Sequence, residues 1–247
     1  MFRCDKLFKS FYGINAVDGV TLSFPGSGIA AIIGPNGAGK TTLLNILTGF
    51  LRPDSGRCFL GECETTYLSP HQIAHLGVAR TFQDLRLISQ VSALDNVMLA
   101  RPNQRGERLL PALLGWSVAR EERANRKEAM RLLSLVNLEA QAIDIAGKLS
   151  YGQQKLLTLA CCLGTEARMM LLDEPVAGVS PQMVVQVLEL LRQLRKQGKL
   201  IVFIEHNMEA VRQVADLVIM MDHGKIIAQG PAHDILERAE IIEAYLE

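Results

Sequence analysis

The stretch IGPNGAGKTT, from Ile33 to Thr42, constrains the fold more than any other ten residues of the chain. It follows an unbroken apolar run, Gly28 to Ile33 (GIAAII), and leads into the helical pattern TTLLNILTGF. A loop that merely reversed the chain would need one or two glycines and no lysine at a fixed distance before a hydroxyl. Residues 34 to 41 fit the pattern G-x-x-x-x-G-K-[ST]. Gly34, Gly37 and Gly39, with Asn36 among them, let backbone N–H groups turn inward as an anion nest. Lys40 is placed to reach β- and γ-phosphates. Thr41, with Thr42 beside it, starts a helix whose dipole favours negative charge, and its hydroxyl suits Mg²⁺.

A phosphate loop of this kind needs a buried parallel sheet. The runs at Gly28 to Ile33, Met169 to Leu172, Leu200 to Ile204 and Leu217 to Met221 have the continuous apolar character of strands covered on both faces. Ser180 followed by Pro181 is a good helix start, with Val184, Val187, Leu188, Leu191 and Leu194 on one face and Gly198 past the end. That pattern predicts a crossover helix between parallel strands. Residues 1 to 27 and about 56 to 66 are rich in β-formers and glycine turns, which predicts an antiparallel edge region. Residues from about 88 to 165 carry only helical signals and read as a helical insert. RPNQRGERLLPALLGW within it predicts an irregular connection, because it holds two prolines and two glycines.

Composition sets limits. At 247 residues the chain has room for one large α/β domain with a subdomain, not for two full copies of such a unit. Lysine plus arginine equals aspartate plus glutamate at 26 each, so no global basic field recommends a nucleic-acid partner. Five cysteines form no C-x-x-C pair, and the simplest reading is a reduced compartment. The opening MFRCDKLFKSF lacks the apolar core of a signal peptide, and no apolar run approaches a membrane span of ~20 residues. If the protein works at a membrane, something else must supply the crossing part.

The second constellation is Arg168 to Pro175, RMMLLDEP. An acid at the end of a buried strand is costly unless a cation meets it. Beside a phosphate loop that cation is Mg²⁺, which makes Asp173 its carboxylate ligand and leaves Glu174 to orient or deprotonate an attacking water. Two acids at a strand end are, taken alone, more often a helix-cap cluster; the phosphate loop is what changes the reading.

With these motifs in hand, the chain resembles the ATP-binding subunits of ABC transporters over nearly its full length, as a single domain over residues 1–247. Leu149 to Gln153, LSYGQ, is similar to the signature LSGGQ, with Tyr151 in place of a glycine. Gln83 in ARTFQ matches the Q-loop, His206 in IEHN the switch histidine, and Val176 to Ser180 the D-loop. The resemblance implies a P-loop ATPase fold of the α/β class with an antiparallel β subdomain and a helical subdomain, and it implies ATP and Mg²⁺ as ligands. It implies that Gln83 senses Mg²⁺ and the attacking water, and that His206 contacts the γ-phosphate. It also implies that Phe11 stacks on adenine, with Tyr12 as a rival. Two ATP-binding subunits would pair head to tail, so that Ser150, Gly152 and Gln153 of one close over ATP held by the other. Ser180 stands where many relatives carry an aspartate, which puts the usual D-loop contact across the pair in doubt.

The text ARTFQDLRLISQVSALDNVMLA, LSYGQQK, DEPVAGVSP, IEHNM and the terminal IIEAYLE resembles the subunits that serve importers of branched-chain amino acids, amides and urea. Lipopolysaccharide-export ATPases are similar but have a shorter middle segment, and soluble ABC proteins of translation or repair fit less well. The expected partners are transmembrane permease subunits, a second ATP-binding subunit and, indirectly, a substrate-binding protein, with the chain peripheral on the cytoplasmic face of the membrane. Leu85, Leu87, Ile88, Val91, Leu94 and Val97 are candidates for an apolar surface that receives a coupling helix, or else fill the insert's own core.

Overall fold

The computed structural model describes residues 1–102, 104 and 116–237, which fall into two compact units. The first holds Met1–Arg80, Arg168–Ala177 and the described residues from Leu191 onward; the second holds Thr81–Ala167 and Gly178–Leu190. In chain order the elements are β1 (Phe2–Phe11), β2 (Ile14–Phe24), β3 (Gly28–Ile33), α1 (Lys40–Leu47), β4 (Ser55–Leu60), β5 (Cys63–Glu64), α2 (Pro70–His75) and β6 (Val78–Arg80). Three helices follow, α3 (Ala93–Leu99), α4 (Trp116–Leu135) and α5 (Tyr151–Gly164). The chain continues through β7 (Met169–Asp173), α6 (Pro181–Lys196), β8 (Leu200–Ile204), α7 (Met208–Val214), β9 (Leu217–Asp222), β10 (Lys225–Pro231) and α8 (Ala232–Leu236).

The first unit contains two sheets. One has the order β10-β9-β3-β8-β7-β6, parallel except for β10, which pairs antiparallel with β9 at the edge. The apolar runs at residues 28, 169, 200 and 217 are its four central strands. The edge strand β6 has only three residues, too few to show a period. The other sheet is antiparallel, β2-β1-β4-β5, as the β-formers near the N terminus and around residue 60 predict. A common core joins the two sheets to α1: Phe2, Leu7, Phe24, Ile32, Leu43, Leu44, Leu47, Leu171 and Val202 are all buried in it. Leu43 and Leu47, one helical turn apart, seat α1 in this core and thereby fix the loop that precedes it. Truncating either to Ala costs about 2–5 kcal/mol by the usual cavity arithmetic.

In the second unit α3, α4 and α5 pack against one another, with Leu94, Val97, Ala129, Leu133, Leu157 and Ala160 buried. Helix α6 starts after Ser180 with Pro181 in its first turn, and Val187, Leu188, Leu191 and Leu194 are buried while Val184 is half-buried. Most of the irregular connection expected between residues 101 and 116, and the terminal IIEAYLE, lie outside the described residues. Among the described residues no helix is long and apolar enough to cross a membrane.

Candidate functional site

Between β3 and α1 the backbone turns with positive φ at Gly34, Gly37 and Gly39. At Gly39 (φ 96°) a Cβ would stand 2.0 Å from the Ala16 carbonyl oxygen, and at Gly34 one would stand 2.1 Å from that of Met221. The loop is therefore backed by rigid backbone on that side. On the other side it is open, since nothing lies within 4 Å of a Cβ at Gly37, and Asn36 and Gly37 are exposed. No side chain caps α1 and no acid sits in its first turn, so its leading N–H groups remain suited to an anion. Gly39→Ala is expected to destabilise the nucleotide-free fold by about 2 kcal/mol or more, as clash adds to positive-φ strain. Gly37→Ala should cost about 1 kcal/mol. Urea unfolding of the two variants measures the difference, and equal costs would refute it.

Lys40 is buried, 6% exposed, with its ammonium drawn into the loop: Nζ donates to the carbonyls of Gly34 (2.7 Å) and Pro35 (2.9 Å). Burial lowers its pKa from the ordinary lysine value, against the opposing pull of the Glu174 and Asp173 charges. Thr41 is exposed and Thr42 half-buried at the helix start.

Asp173 ends β7 and is 6% exposed. Burial raises its carboxyl above the usual range, while Arg80 and Lys40 pull it back down. Arg80, the last residue of β6, stands 3.5 Å from Asp173 Oδ2 and also donates to Asn45 Oδ1 (2.7 Å) and Thr48 Oγ1 (3.0 Å). Sequence reasoning missed this arginine, which sits three residues before Gln83 and has no pattern of its own. A buried carboxylate that burial disfavours as an anion, 3.5 Å from Arg80 and in the field of Lys40, fits a further cation. With the Thr41 hydroxyl it offers the hard oxygen donors that Mg²⁺ takes when phosphates and water complete its shell.

Glu174 adopts a left-handed φ of 48°, with its N–H donating to Ile204 O at 3.0 Å. That conformation costs a non-glycine residue roughly 1–2 kcal/mol. It directs the side chain to a specific neighbour: Oε1 lies 3.3 Å from Nε2 of His206, on the adjacent loop after β8. The phosphate loop, Asp173, Glu174 and His206 thus belong to one unit, with a lysine, two carboxylates and an imidazole at its parallel-strand ends. Beside them is a residue the sequence reading passed over, Glu205, only 1% exposed. Nothing in IEHN distinguishes it from an ordinary loop acid, because its main partner, the Val176 N–H, is 29 positions away.

Gln83, Ser150, Gly152 and Gln153 belong to the second unit. Gln83 is exposed. Ser150 caps α5 in a capping box: its Oγ accepts the Gln153 N–H (3.3 Å), and Gln153 Oε1 accepts the Ser150 N–H (2.9 Å). This reciprocal pair fixes the start of a helix with no acid in its first turn. A Cβ on Gly152 would meet the tip of Met183 at 2.8 Å. Tyr151, about half exposed, lies alongside Gly178, where an added Cβ would stand 3.1 Å from its ring. The departure from glycine at 151 is thus accommodated by a glycine at 178.

Phe11 ends β1 and Tyr12 starts the two-residue turn into β2, with φ of 51° at Tyr12 and 84° at Gly13. Both aromatic rings are exposed, Phe11 at 41%, with Lys9 Nζ 5.6 Å from its ring centre. Of the six apolar residues considered for partner docking, Leu94 and Val97 are removed by the structure. Both are buried in the helical core, at 2% and 0% exposure. Leu85, Leu87 and Val91 are half-buried and Ile88 is exposed.

Residues 17–177 match the family model described as ABC transporter. The chain is 37% identical over 242 residues to the "High-affinity branched-chain amino acid transport ATP-binding protein BraF" of Pseudomonas aeruginosa, covering 97% of this chain and 95% of that protein. It is 35% identical over 246 residues to the "Probable branched-chain amino acid transport ATP-binding protein LivG" of Archaeoglobus fulgidus, covering 100% and 95% respectively. Among solved structures, the ADP conformation of MJ1267, an ATP-binding cassette of an ABC transporter, superposes with a TM-score of 0.84 at 30% identity. That alignment covers 100% of this chain and 98% of that one. The phosphate loop, the acidic strand end and these whole-length likenesses agree, and the chain belongs to the ABC transporter family, as one of its nucleotide-binding ATPases.

Proposed function

We propose that the chain powers a membrane importer for branched-chain amino acids or related amides or urea, working as one of two head-to-tail ATP-binding subunits on the cytoplasmic face. The observation that carries the chemical part is the meeting of an open phosphate nest with Asp173 and the Glu174–His206 pair, 3.3 Å apart, in one compact unit. The substrate class follows from the relatives, which are named for branched-chain amino-acid transport.

In this reading the backbone N–H groups from Gly34 to Thr42, with Asn36, Gly37 and Gly39 on the loop, hold the phosphates. Lys40 exchanges the Gly34 and Pro35 carbonyls for phosphate oxygens. Thr41 and Asp173 would hold Mg²⁺, which would supply charge neutralisation at the phosphate oxygens, and the family resemblance would add Gln83 as a further oxygen donor. Glu174 accepts the proton of the attacking water, and His206 donates to the γ-phosphate while keeping Glu174 aimed. Phe11 stacks on adenine. Ser150, Gly152 and Gln153 of the partner subunit close over the triphosphate with the start of their helix. Transport then follows from opening and closing of the pair against permease subunits, with a substrate-binding protein outside and no nucleic acid involved.

The deciding experiment is isolation of tagged Glu174→Gln protein with ATP from its native membranes, with co-purifying proteins identified by mass spectrometry. Two permease-like membrane proteins, a similar ATPase and a binding protein support the reading. Lipopolysaccharide-export components, or ribosomes or DNA without membrane protein, overturn it. Leu85 and Leu87 remain candidates for the permease contact. The double change Leu85→Asp with Leu87→Asp is expected to leave ATP affinity within about twofold while abolishing uptake, since charge in an apolar contact costs association and not phosphate binding. Unchanged uptake would remove those residues from the interface.

A further inference from the structure

The register of β7 against β8 pairs Asp173 with Ile204, so the two strands release their loops side by side. One loop begins with Glu174 and the other with Glu205 followed by His206. Each therefore carries one half of the Glu174–His206 contact, and each leaves its strand with backbone N–H groups that need acceptors. Glu205 meets that need from the inside. Its Oε1 accepts the N–H of Val176 at 2.8 Å, two residues past Glu174. Its Oε2 accepts the N–H of His206 at 3.3 Å and reaches that of Asn207 at 3.5 Å. Asn207 uses its own side chain elsewhere, capping α7 through the Ala210 N–H.

A carboxylate at 1% exposure is an expensive way to join two loops. Burial raises the Glu205 pKa and the nearby Glu174 charge raises it further, with the backbone donors opposing both. An apolar side chain would avoid that cost but would leave the Val176 N–H without this acceptor. A carboxylate of this length supplies one oxygen to each loop; a shorter acid loses reach, and an amide offers only one acceptor oxygen.

We propose that Glu205 is a positioning residue for hydrolysis: it ties the loop after Glu174 to the loop bearing His206 and so sets the distance between these two groups, without itself touching the nucleotide. The proposal rests on the ATPase chemistry assigned above to Glu174 and His206. The requirement is geometric, because a misplacement of about 1 Å at a reacting centre can cost roughly 100-fold in rate.

The test compares the purified full chain with Glu205→Gln, His206→Ala and the double variant. It uses MgATP affinity by calorimetry, single-turnover hydrolysis, and melting temperature. The expected result for Glu205→Gln is a rate about 10-fold or more lower at an affinity within about twofold, with little further loss when it is added to His206→Ala. An unchanged rate overturns the proposal. So does a loss that multiplies with that of His206→Ala, or a loss of rate, affinity and melting temperature together, which would assign Glu205 to the fold alone. Wild-type protein that binds ATP but turns none over overturns the parent reading, and this one with it; wild-type turnover with an unaffected Glu205→Gln variant sinks only this one.

Discussion

Glu174→Gln is expected to lower steady-state ATP hydrolysis by about 100-fold or more while leaving ATP affinity within about threefold, the signature of a group that acts in the transition state. The geometry explains the asymmetry. Glu174 holds a left-handed backbone conformation and presents Oε1 to His206 Nε2 at 3.3 Å, and it follows β7, outside the phosphate loop of residues 34–42. Glutamine keeps the shape and can retain the contact to the imidazole, but it cannot take a proton. ATP should therefore bind, and if a nucleotide-closed pair is the state that hydrolysis resets, that pair should accumulate. Phosphate release and light scattering with ATP measure both consequences. Hydrolysis near the parent rate would place the base elsewhere, and a mass that stays that of one chain would count against the paired mechanism.

Lys40→Ala should act on the other side of the cycle, weakening ATP binding itself by roughly 10- to 100-fold, the loss typical of one or two charge-assisted hydrogen bonds. The ammonium already lies within the loop, on the Gly34 and Pro35 carbonyls, so a triphosphate meets a donor that needs only to change partners. Burial lowers its pKa in the empty site, and added phosphate charge would oppose that shift. Titration calorimetry of the variant with ATP settles the point. Affinity within twofold of wild type, with hydrolysis alone reduced, would mean that Lys40 serves the reaction and not binding.

The parts of the fold visible in the sequence were those with a local cause. The four apolar runs gave the central strands because a strand buried on both faces must be apolar throughout. Ser180 and Pro181 gave the start of α6, and the glycines gave the phosphate loop. The short strand β6 and the edge strand β10, whose residues alternate between exposed and half-buried, had no such signal. The same division runs through the site. Lys40, Asp173, Glu174 and His206 are marked by neighbours a few positions away. Arg80 and Glu205 act on groups 93 and 29 positions distant, and only the pairing of strands brings those together. Tyr151 shows the converse: as text it is a departure from a glycine pattern, and its fit depends on Gly178, out of reach of the motif.

The phosphate loop is also tied to parts of the chain that bind no phosphate. Gly224, in the turn between β9 and β10, donates its N–H to Ala38 O at 3.1 Å and accepts from Asp18 N at 2.8 Å, so one glycine stitches that turn to both the loop and β2. The nest is thereby shaped before any nucleotide arrives, and little of the interaction free energy is lost in ordering it. Amide hydrogens at Gly224 and Asp18 should accordingly exchange slowly even in the empty protein. The consequence is kinetic: a loop held from behind is expected to keep its shape as product leaves by its open side, so a slow release step is expected in whatever covers that side.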